Sequence, residues 1–404
     1  MNSRNLDRRA FLEYSLKYSA LLPGALPLTG ALGSLASRSR RLGRILVVVE
    51  LNGGNDGLST VVPFRDEGYA KNRPTLRIAE KDLLKLDGEL GLHPSLRSFA
   101  ALHERSELAV VQGVGYPEPN FSHEVSLDTW HTARLDRAGR LGLGWLGRAL
   151  DETEHAGETS RAPRAILAGP HALPRALRAR KSPVATVPSI DAYLEAGEIA
   201  SDALLQTGTE SEASEHVRRV LLDARATAKS LASVKPGKSA KPYPAAPLGT
   251  ELKLIAQLIR ADLDTSVFYA IQNGYDSHSL QDPGQGSRLQ VLGDALLAFL
   301  DEMREAGRAS SVLVLVWSEF GRRVQENASR GTDHGTAGPV FLAGAPVRAG
   351  VYGQTPSLTD LDDGNLKMTV DFRRVYASVL RDWMGLDAQT VLDSALEPLP
   401  LIRS

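Results

Sequence analysis

The feature that most limits the fold is the run "RILVVVELNGGNDG", in which Ile45 to Leu51 are apolar and largely β-branched except for Glu50, and glycines close the stretch. A strand with one wet face alternates polar and apolar residues. A continuous run instead fits a strand covered on both faces, as in a parallel sheet. Five more runs share the pattern: Glu107–Gly115, Arg164–Gly169, Thr265–Gly274, Ser310–Gly321 and Gly338–Gly344. Between them, Leu289, Leu292, Leu296, Phe299, Leu300 and Met303 fall on one stripe of a 3.6-residue period, and Phe372, Val375, Tyr376, Val379, Leu380 and Trp383 repeat it. Strands alternating with amphipathic helices predict an α/β fold, a three-layer sandwich with a mainly parallel central sheet.

A chain of 404 residues buries enough surface for a full enzyme without a small-scaffold staple. The first 36 residues carry Arg8 and Arg9, then Phe11 and Leu12, then a mildly apolar stretch broken by Pro23 and Pro27, and they resemble a twin-arginine export signal. The prolines and glycines argue against a stable membrane span. The expected location is therefore exported, periplasmic or extracellular, with the twin-arginine translocase as a transient partner. With no cysteine, no disulfide braces the fold outside the cell. Residues 37–404 read as a single domain, interrupted at about 151–250 by an irregular insertion whose "KSLASVKPGKSAKPYPAAPLG" segment has almost nothing to bury. Lys plus Arg (47) and Asp plus Glu (48) nearly cancel, so bulk charge gives no case for a nucleic-acid partner.

In open α/β sheets, ligands bind beyond the carboxyl ends of the strands. The residues just past each apolar run are therefore the place to look for chemistry. Asp56 comes after the first; Asn120, Ser122 and His123 after the second; Asp276 and His278 after the Thr265–Gly274 run; Glu319 and Arg322, then Asp333 and His334 in "GTDHG", at and beyond the end of the Ser310–Gly321 run. Carboxylates with imidazoles are the ligand set of zinc, manganese or a related divalent ion, and two such ions need about six ligands. Each piece alone also fits a turn, a helix cap or a surface ion pair; their recurrence after successive strands favours one site. Arg322 is open to two roles, an oxyanion clamp or a structural ion pair. The remaining histidines, His93, His103, His131, His155, His171 and His216, lack such settings and read as surface or capping residues.

The ordered set "LNGGNDGLSTVVPF", "LHPSL", "VVQGVGYPEPNFSH", "GWLGRALD", "YDSHS", "SEFGRRVQENASRGTDHGTAGPVFLAG" and "DFRRVYASVL" resembles the bacterial family known as domain of unknown function 1501, exported proteins grouped with the alkaline-phosphatase-like and sulfatase-like superfamily. The resemblance implies a phosphatase-like sandwich with metal at the strand ends. It further implies Asp56 as the first metal ligand, Ser122 as nucleophile, Asp276 and His278 on one ion, and Asp333 and His334 on another. The pattern departs from the superfamily in two ways: Ser277 alone separates Asp276 from His278, and no histidine comes after His334. Either His123 fills the gap or the site holds one ion.

The expected activity is metal-dependent hydrolysis of phosphate or sulfate esters, on a small-molecule or glycan substrate, with Ser122 or an activated water as nucleophile. The alternative is an envelope protein that keeps the fold to bind rather than catalyse. A dinucleotide enzyme is disfavoured by the missing G-x-G-x-x-G after the first strand.

Overall fold

The computed structural model of the protein describes residues 43–153, 163–191 and 242–403. The expected signal segment and most of the expected insertion lie outside these residues. Arg44–Ser404 group as one compact unit.

A nine-stranded sheet forms the centre. Its strands are β1 (Ile45–Asn52), β2 (Leu108–Gly115), β3 (Ala165–Ala168), β4 (Val184–Val187), β5 (Val267–Asn273), β6 (Val312–Trp317), β7 (Gly338–Ala343), β8 (Gly350–Tyr352) and β9 (Val370–Asp371). Their spatial order is β8-β2-β7-β6-β1-β5-β3-β4, with β9 also paired to β2. All six apolar runs are strands. β1 lies between β5 and β6 and is parallel to both, with Val48 facing Tyr269 on one side and Leu315 on the other.

Alternate side chains of β1 leave on opposite faces, as the two-residue strand period requires. Val47, Val49 and Leu51 join one core with helix residues Phe99, Leu252, Ile255, Leu292 and Leu296; Leu46 and Val48 join another with Trp130, Leu146, Phe372 and Tyr376. The helices of the first layer are α1 (Arg97–Glu104), α4 (Pro247–Arg260) and α5 (Gln281–Glu305). Those of the second are α2 (His123–Thr132), α3 (Trp145–Thr153) and α6 (Phe372–Ser378). The result is the three-layer sandwich that the run pattern predicts. No helix among the described residues is long and apolar enough to cross a membrane.

One strand departs from the parallel expectation. β7 runs antiparallel to both β2 and β6. This reversal positions the site, because the chain leaves the carboxyl end of β6 and re-enters the sheet at the same rim. The whole connection from Ser318 to Ala337 is therefore held on the rim where β1, β2 and β5 also end.

Candidate metal centre

Four loops meet at that rim. The turn after β1 is fastened to the β6–β7 connection: Gly53 N donates to Glu319 Oε1 at 2.9 Å, Asn55 N donates to Ser318 Oγ at 2.9 Å, and Ser318 Oγ donates to Leu51 O at 2.6 Å. Within the connection, Arg322 and His334 form an antiparallel bridge, and Gly335 N donates to Gly321 O at 2.9 Å. The glycines of "GTDHG" have a steric cause. A Cβ on Gly331 would stand 2.2 Å from the carbonyl carbon of His278, and one on Gly335 would stand 2.4 Å from that of Arg322. Only glycine lets the backbone of this loop lie against both neighbours.

The packing brings Asp276, His278 and His334 into mutual contact. His278 Nε2 and His334 Nε2 are 2.9 Å apart, and they lie 3.0 and 3.2 Å from Asp276 Oδ1. His123, from the first turn of α2, places Nε2 3.5 Å from Asp276 Oδ2. His123, Asp276 and His334 each offer one ligand atom within 4.8 Å of the others.

Each imidazole is fixed from behind. Nδ1 of His123 meets Glu319 Oε1 at 2.7 Å, Nδ1 of His334 meets Phe121 O at 2.7 Å, and Nδ1 of His278 meets Asp333 Oδ1 at 3.3 Å. With the Nδ1 proton given to an outer acceptor, the Nε2 lone pair is free to face Asp276. The Phe320 ring packs on His123 and His334, with centroids 4.9 and 4.7 Å away, and limits their tilt.

The hydrogen bond that His123 donates to Glu319 raises the pKa of the imidazole against the lowering effect of burial. At Asp276, burial pushes upward, but the hydrogen bond and charge of Arg322 lead the causes that lower the carboxyl to about 2. The Asn327 amide, 3.0 Å from Asp333 Oδ1, leads the causes that lower Asp333. These acids stay ionised across the physiological range, as ligands and their supports must.

A direct test of fit for a cation is the state of the donor atoms. His123 Nε2 is buried, has no hydrogen-bond partner and is turned toward Asp276. The imidazole nitrogens of His123 and His334 and a carboxylate oxygen of Asp276 converge, with His278 Nε2 beside them, and imidazole with carboxylate is the donor chemistry of a divalent metal. The residues present fit such an ion.

A family model described as protein of unknown function (DUF1501) matches residues 44–396. The chain belongs to the DUF1501 family. Solved structures similar in outline include the C-terminal periplasmic domain of EcEptC from Escherichia coli, at 9% identity and a TM-score of 0.37, covering 85% of this chain and 82% of that one. A sulfatase from Pseudoalteromonas sp. gives 10% identity and a TM-score of 0.38, covering 93% and 75%. The alkaline phosphatase of the Antarctic bacterium TAB5 gives 12% identity and a TM-score of 0.33, covering 77% and 94%. No curated protein matches the chain in sequence.

The remaining residues singled out in this DUF1501 chain take different places. Glu319 is fully buried and acts through His123 and Gly53. Asp333 is half exposed and acts through His278. Arg322, open in sequence between clamp and structural pair, takes the second role because it is fully buried and every nitrogen is used. Nε donates to Gly54 O at 2.8 Å; Nη1 donates to Thr332 O at 2.8 Å and stands 3.5 Å from His278 Nε2; Nη2 donates to Gly53 O, to Tyr275 O at 3.1 Å and to Asp276 Oδ1 at 2.9 Å. It has no donor left for a substrate oxygen and serves to tie three loops together and aim Asp276.

Asp56, which the family resemblance makes the first metal ligand, does not join the imidazoles. Its carboxylate is committed to Arg73. Ser122 is exposed and stands at the N-cap of α2, but its side chain makes no capping hydrogen bond. Phe121 before it and His123 after it both support the cluster.

Sequence reasoning missed a second buried network. His131, read as a surface or capping residue, is buried, with Nε2 2.8 Å from Glu50 Oε2, and Tyr269 Oη donates to that same oxygen at 2.6 Å. The signal was present in Glu50, a lone acid inside the apolar run of β1. A carboxylate at that depth must find partners. The pair anchors the end of α2 opposite to the one carrying Ser122 and His123.

Proposed function

We propose that the protein is an exported, metal-dependent hydrolase of phosphate or sulfate esters, acting on a small-molecule or glycan ester at the Asp276 rim. One observation carries this reading: three imidazoles each hold Nδ1 against an outer acceptor and turn Nε2 toward one carboxylate. Core histidines that only satisfy packing have no reason to share that orientation.

Asp276, His123, His278 and His334 would hold the ion, zinc or manganese. Such an ion supplies Lewis acidity at the ester oxygens and lowers the pKa of a nearby oxygen nucleophile. The chain's own groups complete the site. Ser122 offers a hydroxyl that capping does not consume, and the first turn of α2 offers N–H donors and the positive end of the helix dipole to an anionic ester. Glu319 keeps a proton on His123 Nδ1, and Phe320 shields two of the imidazoles from water. Export is supported by Arg8 and Arg9 and the stretch after them.

The test is turnover of phosphate monoesters, phosphate diesters and sulfate esters by chelator-stripped protein, before and after reloading with zinc or manganese. Activity is expected only after reloading. Ser122→Ala is expected to lower kcat about tenfold or more while leaving metal affinity unchanged. Tight metal binding with no turnover of any ester would assign the chain to the binding-protein alternative.

A further inference from the structure

Asp56 and Arg73 are both fully buried. Arg73 Nη1 donates to Asp56 Oδ2 at 2.6 Å and Nη2 to Oδ1 at 3.1 Å, and Nε donates to Val324 O at 2.6 Å. Ser59 Oγ and Gln281 Nε2 also donate to Oδ2, at 2.7 and 2.5 Å. Both oxygens of the carboxylate are occupied, and a planar guanidinium lies against them. A metal ion at Asp56 would have to displace a cation that has no solvent to move into.

This pair is wired to the imidazole cluster. Thr332 Oγ1 donates to Gln281 Oε1 at 2.6 Å, Thr332 O accepts from Arg322 Nη1 at 2.8 Å, and Arg322 Nη2 reaches Asp276 Oδ1 at 2.9 Å.

We infer that the metal centre is mononuclear and that Arg73 is a built-in cation, holding Asp56 in the place where a free acid would recruit a second ion. The inference rests on the metal-centre reading above and fixes the stoichiometry which that reading leaves open. It also separates two roles within the rim: Asp276 and the imidazoles bind the ion, whereas Asp56 and Arg73 are positioning residues that hold the loop after β1 against Gln281 and the β6–β7 connection.

The experiment is a metal count on the full chain by native mass spectrometry and calorimetric titration with zinc and with manganese, in the wild type and in Asp56→Asn. One tight equivalent per chain is expected in both proteins. A second tight equivalent in the wild type overturns the inference, and its loss in Asp56→Asn would place that ion at Asp56. If Asp56→Asn does not fold, the wild-type count decides alone: one equivalent supports the inference and two overturn it. Failure of the wild type to bind either metal tightly overturns the metal-centre reading itself, and this inference with it.

Discussion

Asp276→Asn is expected to weaken divalent-metal binding by at least about 100-fold, and to abolish metal-dependent hydrolysis with it. The magnitude comes from where Asp276 stands. Its Oδ1 is the point on which His278 Nε2, His334 Nε2 and Arg322 Nη2 converge at 3.0, 3.2 and 2.9 Å, and its Oδ2 is 3.5 Å from the free Nε2 of His123. Asparagine preserves the shape and one acceptor but removes the charge. The Arg322 guanidinium then faces residue 276 without a carboxylate to pair with, and it repels the ion. Asp333→Asn is expected to cost less, about tenfold, because Asp333 acts through His278 Nδ1 at 3.3 Å and is half exposed. Calorimetric titration of both variants measures the two effects. Equal losses would mean that Asp333 binds the ion directly, and no loss in Asp276→Asn would remove the site from this rim.

The ordering of those two variants shows how far the sequence speaks for itself. The sheet was legible because each buried strand is a continuous apolar run, and burial on both faces leaves no other pattern. The direction of β7 was not, since a two-sided apolar run reads the same whichever way the strand points; the reversal depends on the rim loop folding back through the Arg322–His334 bridge. Among the site residues, those at strand ends were visible by type and place. Their division into ion-facing groups and supports was invisible, because Asp333 and His334 are neighbours in sequence yet meet opposite nitrogens of the His278 ring, Nδ1 and Nε2. Arg73 was the hardest to see. It lies in the polar stretch "AKNRPTLR", which reads as surface, and its partners Asp56, Arg323 and Val324 are distant along the chain. A lone arginine in such a stretch carries no local mark of burial.

Arg73→Met is expected to destabilise the fold by about 3–5 kcal/mol, read from urea unfolding. The loss has two sources. Asp56 keeps a buried charge with only Ser59 and Gln281 to solvate it, and the carbonyls of Val324 and Arg323 lose their donors. Against a typical stability of about 5–15 kcal/mol, this leaves the variant marginal. Adding Asp56→Leu to Arg73→Met should recover much of the loss, because an apolar pair of similar volume carries no uncompensated charge. The pH dependence gives a second check. Burial alone would raise the Asp56 carboxyl, but the charge and hydrogen bonds of Arg73, with those of Ser59 and Gln281, bring it below its ordinary value of 3.8. A carboxyl lowered on folding contributes stability that is complete above the unfolded pKa and is lost as pH falls through the folded one. Asp56→Asn should therefore lower stability at neutral pH and flatten its decline below about pH 4. An acid limb of the same slope in both proteins would show that Arg73 does not hold Asp56 as an ion pair, and the case for a built-in cation beside the metal centre would fall with it.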